Sequence, residues 1–368
     1  MNPEVIVYVV TNREIDESAS GLKMFGSRPN PIGPNELRLV EVIKQGTNYQ
    51  ATLLKDQLKP EEVDKLKKRF KLPDEFQGPY YASLRAACET MARALKEKRH
   101  ILIFVHGYNN DIGDVLNTAE ALEALYQVVV VPFSWPANGG GAVRGTADYL
   151  DDKQDARVSM DALNRFIAKI DFYHELLTRA TRARAWAKAA NSFQDNRGAA
   201  RAIYSERLAE ECQVTLNLAC HSMGNYVLQY ALLPSDVASR RLVFDNVSLI
   251  AADANNKGHQ EWVETIQVRN RLHITINEDD FALAWSRRKP GDEQLDRLGS
   301  YLRNLSARNA YYIDATGATS VESAHNYFTG PPVQNNPSLK AFFAAAFEGR
   351  RGEQNLHYAA DVNVYRLR

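Results

Sequence analysis

Residues 218–227 read LACHSMGNYV, and the cluster from Cys220 to Gly224 holds the residue types of a nucleophile set on a sharp turn. An apolar, β-branched run enters it and a helix-forming stretch leaves it. At such a strand-to-helix junction the Oγ of Ser222 is pushed out of a strained backbone, and the amide of Met223 is exposed at a helix start. The turn demands small residues two places before and two places after the serine. Gly224 meets the second demand; the first position carries Cys220, a small thiol in place of the glycine of G-x-S-x-G. A plainer reading competes, in which Ser222 only caps a helix over 223–233.

Two further stretches supply what a nucleophilic serine needs. In ILIFVHGYNN (101–110) a buried strand runs into His106-Gly107-Tyr108. The N–H of Tyr108 is placed to face a developing oxyanion, with the N–H of Met223 as its partner, and Gly107 permits the close approach and unusual dihedrals this requires. His106 precedes the serine, so it reads as a hydrogen-bonded supporting residue rather than a base, and His221 is grouped with it. A nucleophile-first order then needs an acid and a histidine after Ser222, each at the end of a later strand. NEDDFAL (277–283) offers Glu278, Asp279 and Asp280, while Asp253, after LIAA, is a rival acid on the preceding strand. TGATSVESAHNYF (316–328) offers His325, the one histidine placed just after the last expected core strand. His259 opens a helix, His273 lies within a strand and His357 is near the tail.

The elements that must position these groups follow from periodicity. Short apolar runs at 4–10, 100–105, 128–135, 214–220, 246–252, 272–276 and 310–315 read as buried strands. Helices are expected over 113–127, 154–177, 223–233, 258–268 and 337–348. Their alternation predicts βαβ units and a mostly parallel sheet covered on both faces, an α/β chain. Residues 14–75, with edge strands at 36–43 and 50–56 and the charged helix PEEVDKLKKRF, read as an N-terminal elaboration of the sheet edge within one domain spanning 1–368. Residues 178–212 are basic, alanine-rich and sparsely apolar, with Trp186 and Phe193 as large anchors. They read as a helical, cap-like insertion: a lid, a solvated hairpin, or a surface for a partner or oligomer contact.

Bulk composition removes other classes. The 368 residues carry 45 basic and 45 acidic side chains, so no net charge draws the chain to nucleic acid. No run of about 18 apolar residues predicts a membrane span. Cys88, Cys212 and Cys220 have no metal-type spacing, which fits a reducing, cytoplasmic setting. No metal or organic cofactor is implied.

The motifs TNR (11–13), FVHGYN (104–109), PFSWP (132–136), YLDDKQDA (149–156), HSMGN (221–225), NEDDFALAWS (277–286) and AHNYF (324–328) together resemble a bacterial family of uncharacterised function within the α/β-hydrolase superfamily. The resemblance runs in order from about residue 4 to 330, and the 178–212 insertion is longer than the family pattern. It implies an α/β-hydrolase fold, with Asp280 as the acid before an Ala-Leu turn and His325 as the base that opens His-x-Tyr-Phe. The expected activity is hydrolysis of a small-molecule carboxylic ester or thioester by Ser222, His325 and Asp280. A catalytically silent binding or scaffold module that docks a partner through the insertion is the alternative. A dehalogenase-like enzyme would want Asp in place of Ser222.

Overall fold

Burial drives the β-branched runs into one 11-stranded sheet. The computed structural model describes residues 6–70, 72, 80–137, 145–192, 214–232, 242–288 and 295–368. In chain order, β1 (Ile6–Thr11) is followed by a small ribbon of β2 (Arg13–Ile15) and β3 (Phe25–Pro29), then by β4 (Arg38–Gln45), β5 (Asn48–Leu53) and the charged helix α1 (Pro60–Phe70). Helix α2 (Ala82–Glu97) leads into β6 (His100–Val105), α3 (Ile112–Leu125) and β7 (Val128–Ser134). Next come α4 (Gly145–Val158), α5 (Met160–Ser192), β8 (Leu216–His221), α6 (Gly224–Leu232) and β9 (Phe244–Ile250). The chain continues through the single turn α7 (Gln260–Val263), β10 (Val268–Ile276), α8 (Phe281–Arg287) and β11 (Ala310–Asp314). It ends with α9 (Pro331–Asn335), α10 (Pro337–Phe347), β12 (His357–Ala359) and β13 (Val364–Arg366).

The strand order is β12-β13-β11-β10-β9-β8-β6-β7-β1-β4-β5. Neighbours from β13 across to β1 are parallel, and antiparallel pairing is confined to the edges. Strand periodicity divides the core into two layers. Ile101, Ile103 and Val105 pack with Leu218 and Cys220 on one face, and Leu102, Phe104 and Ala219 pack on the other. Parallel strands all end on the same side, so the turns after β6, β8, β10 and β11 converge.

Three expectations change. The helix expected over 154–177 is broken at Ser159, whose Oγ donates to the Asp155 carbonyl at 2.6 Å and accepts from Asn12 Nδ2 at 2.9 Å. A serine bonded back to the preceding turn in this way bends or interrupts a helix. The helix expected over 258–268 shrinks to α7, because Asn309 Nδ2 takes the carbonyls of Val263 and Ile266 and β10 begins at Val268. Strand β11 is not the last parallel strand, since β13 pairs beside it after the His325 loop. Of the insertion, 178–192 continues α5 with Trp186 exposed, while 193–212, with Phe193 and Cys212, lies outside the described residues.

Candidate active site

The turn after β8 has the strain its sequence implies. Ser222 sits at φ 53°, a left-handed conformation costly for a side chain with a Cβ. Backbone bonds hold it there. Its N–H donates to the Ile250 carbonyl at 3.0 Å, and its carbonyl accepts from the Asp253 amide at 3.1 Å. Asn225, fully buried, reinforces both: its Nδ2 donates to the carbonyls of Cys220, Ser222 and Ile250 at 3.0, 3.0 and 3.2 Å. Gly224 is required for space. A Cβ there would stand 2.6 Å from the carbonyl oxygens of both Val105 and His106. Cys220 is buried without strain at the position where glycine was expected, and burial pushes its thiol up. The Met223 amide precedes the first residue of α6, where helix N–H groups have no intrahelical acceptor.

The turn after β6 lies against the serine. A Cβ on Gly107 would be 2.7 Å from the Ser222 Cβ, so glycine serves close approach here. The left-handed residue of this loop is Asn109, at φ 57°. His106 is fully buried and stacks on Trp135, with ring centroids 5.2 Å apart. Its Nε2 accepts from the Trp135 amide at 3.2 Å, its carbonyl accepts from the Trp135 indole at 2.9 Å, and its Nδ1 donates to the Gly107 carbonyl at 2.8 Å. Burial first, then the Arg13 charge, push its pKa to about 3. His106 is therefore a neutral strut beneath Gly107 and Tyr108.

Two side chains outside the predicted set, Asp152 and Arg13, support that strut. Asp152, buried, accepts from the Asn109 amide at 3.2 Å. Arg13, 2% exposed, donates to the Asn110 carbonyl at 2.9 Å, to Ser134 Oγ at 2.9 Å and to the Ala137 carbonyl at 3.1 Å. Burial pushes its pKa down to about 10, against the pull of Asp152, Asp111 and Asp155. Arg297, equally buried, pairs with Asp253 at 3.1 Å. The motif TNR carried the only sequence signal of Arg13, and nothing local marked Arg297.

The carboxylates separate clearly. Glu278 and Asp279 are exposed, whereas Asp280 is fully buried. Asp280 Oδ2 accepts from His325 Nδ1 at 2.7 Å, and Oδ1 caps α8 by accepting from the Leu283 amide at 3.0 Å. Asp253 is turned elsewhere, to Arg297 and to the Ser286 hydroxyl at 2.7 Å. His325, 21% exposed at its side chain, rides on a loop anchored by the two residues behind it. Buried Tyr327 bonds Thr275 at 2.7 Å, and the Phe328 carbonyl accepts from Tyr126 at 2.8 Å. Asn277 Nδ2 ties the same loop to the end of β10 through the Glu322 carbonyl at 2.9 Å.

His221 links serine and histidine segments. Its ring lies 4.6 Å from that of His325, and its Nε2 donates to the His325 carbonyl at 3.3 Å. Burial, and then the neighbouring His325, hold its pKa well below the ordinary value, so it is neutral. Among the described residues no hydrogen bond joins the Ser222 hydroxyl to the His325 imidazole; in substrate-free enzymes such bonds are often long and tighten in the Michaelis complex. The other histidines that follow Ser222 in the chain are committed or remote. His259 bonds Tyr312, His273 bonds Glu353, and His357 is exposed on β12. Among the described residues no group of three or more His, Cys, Asp or Glu could hold a metal ion, and no helix is long and apolar enough to cross a membrane.

The sheet order and the convergent turns are those of the α/β-hydrolase fold. Residues 84–176 match the model of a family described as "Alpha/beta hydrolase of unknown function (DUF900)". That span runs from α2 through the His106 turn into α5, and Ser222, Asp280 and His325 lie beyond it. Among solved structures, the acylaminoacyl peptidase of Pyrococcus horikoshii is similar at 14% identity and a TM-score of 0.28, over 84% of this chain and 48% of the peptidase chain. This chain thus spans about half the length of that peptidase. No curated protein matches the sequence.

Proposed function

We propose that this protein is a serine hydrolase that cleaves a carboxylic ester or thioester through an acyl-enzyme. The observation that carries the reading is the 2.7 Å bond from His325 Nδ1 to a fully buried Asp280, on turns that converge with a serine held at φ 53°. Asp280 keeps the proton on Nδ1, which leaves Nε2 as the base. Ser222 Oγ attacks the acyl carbon as its proton passes to Nε2. The carbonyl oxygen becomes an oxyanion, received by the amides of Tyr108 and Met223, each worth about 3–4 kcal/mol by removal. Collapse expels the alcohol or thiol, which takes the proton from His325. Water then attacks the acyl-serine, with His325 again as base, and the acid leaves as Ser222 Oγ takes that proton back from Nε2.

A fluorophosphonate probe tests this directly. The wild-type protein is expected to label at one residue, and Ser222→Ala is expected to abolish both labelling and ester turnover with an unchanged circular dichroism spectrum. Labelling that persists in the variant refutes the nucleophile. A folded wild-type protein that does not label at all points to the binding-module reading instead. An ester panel of graded acyl length then defines the substrate class.

A further inference from the structure

A cavity of about 280 Å³ lies on one face of the sheet, away from the turns that carry Ser222 and His325. Val10, Ile101, Ile103, Val131 and Leu216 form its floor. Ile101 stands near the start of β6 and Leu216 opens β8, whereas His106 and Ser222 follow the last residues of those strands. At about 3.3 Å per residue, Ile101 and His106 are roughly 16 Å apart. The space exists because α2 presents mostly short side chains to it, at Ala82, Ser83, Ala86, Ala87 and Thr90, with Met91 the one long side chain it contributes. Across the gap, Phe166, Ile170 and Tyr173 of α5 form the opposite wall. The hydroxyl of Ser83 is already bonded to Tyr173 at 2.6 Å, and Thr90 and His174 are further polar side chains among these walls, so most of the depth favours an apolar chain.

Charge is confined to the mouth. Arg38, Lys55, Arg165 and Lys169 line it together with two carboxylates, Glu36 and Asp56. Lys55 and Arg165 are exposed and Arg38 and Lys169 half-buried, while the floor residues Val10, Ile101, Ile103 and Leu216 are buried. Glu36 is shared between Arg38 at 3.8 Å and Arg165 at 3.3 Å. The Lys169 ammonium lies 4.4 Å from the centre of the Tyr81 ring. Its pKa is held below the ordinary value by burial and then by Arg165, against the pull of Asp56. An excess of cations over an apolar shaft is complementary to an amphiphile with an anionic head.

We propose that this cavity is a second ligand site that takes a medium-chain carboxylate, tail on the sheet and head group between Arg165 and Lys169. The volume is near the lower end of small-molecule pockets, about 300–1,000 Å³. Calorimetric titration of the Ser222→Ala protein with octanoate, decanoate and 1-decanol tests the site apart from any turnover at the serine. One carboxylate is expected per chain, tightening about fourfold for each added methylene until the cavity is full. Ala86→Phe, which fills the shaft, is expected to abolish binding. Lys169→Glu, which reverses the charge at the mouth without filling the shaft, is expected to weaken decanoate about fivefold and leave 1-decanol unchanged. In wild-type protein, phosphonylation of Ser222 is expected to leave decanoate binding intact. Non-saturable binding, retention in a folded Ala86→Phe protein, indifference to Lys169→Glu, or loss on phosphonylation each overturns the proposal.

Discussion

Replacing Asp280 by Asn separates the two duties of that carboxylate. Oδ1 accepts from the Leu283 amide and Oδ2 from His325 Nδ1. In Asp280→Asn the amide oxygen stays on Leu283, since only an oxygen can accept there, and the NH₂ is forced towards the imidazole. Nδ1 must then become an acceptor, which puts the proton on Nε2, and the base is blocked. Asn is as good a helix cap as Asp, so α8 and overall stability change by a few tenths of a kcal/mol. The expected loss in kcat and in the second-order rate of fluorophosphonate labelling is about 10⁴-fold, or about 5 kcal/mol of transition-state stabilisation. Asp253→Asn and Asp279→Asn serve as controls, and Asp279, exposed, is expected to lose less than about twofold. A fall of under tenfold in Asp280→Asn, or a larger one in a folded Asp253→Asn protein, refutes the assignment of the acid.

Other perturbations bear on the scaffold. Gly224→Ala drives a Cβ against two carbonyl oxygens and is expected to cost about 1–3 kcal/mol in urea unfolding, with slowed labelling of Ser222. His106, with its folded pKa pushed to about 3, stays neutral in the fold while the unfolded chain takes up a proton below about pH 6.5. Its stabilisation is complete above that pH and is lost as pH falls towards about 3, by on the order of 5 kcal/mol; His106→Gln is expected to flatten the stability–pH slope in that window by close to one proton. Arg13→Lys keeps the charge but reaches fewer of the buried acceptors. It is expected to cost about 2–4 kcal/mol and to slow labelling about tenfold, through the loop that carries Gly107 and Tyr108.

The seven apolar runs became strands because each is short, β-branched and buried on both faces, a pattern that no helix of that length shares. The strained turn at Ser222 was legible through the small residues Cys220 and Gly224 on either side of it, and the loop position of His325 through its place after β11. Asp280 could not be told from Glu278 and Asp279 by spacing alone, although an acid directly ahead of FALAWS carries the signature of a cap. Helix α2 escaped because its ends lack the usual signals. Tyr81 makes no side-chain cap bond, and Lys98, in place of glycine, takes the left-handed C-cap at φ 54°. Strands β12 and β13 are three residues each, too short to show a period. The buried Arg13 and the Arg297–Asp253 pair depend on partners distant in sequence, which no local pattern encodes.

The convergence of these turns has a kinetic consequence. His325 meets Asp280 across 45 residues, His221 reaches the His325 carbonyl across 104, and Arg13 reaches Asn110 across 97. None of these contacts can form while the intervening chain is open, and each waits on the closure entropy of a long loop. The parallel strands that hold them are themselves non-local pairings, the slow kind to assemble. The candidate site therefore takes shape only as these long loops close: while they are open, neither the His325–Asp280 bond nor the His221–His325 contact can exist.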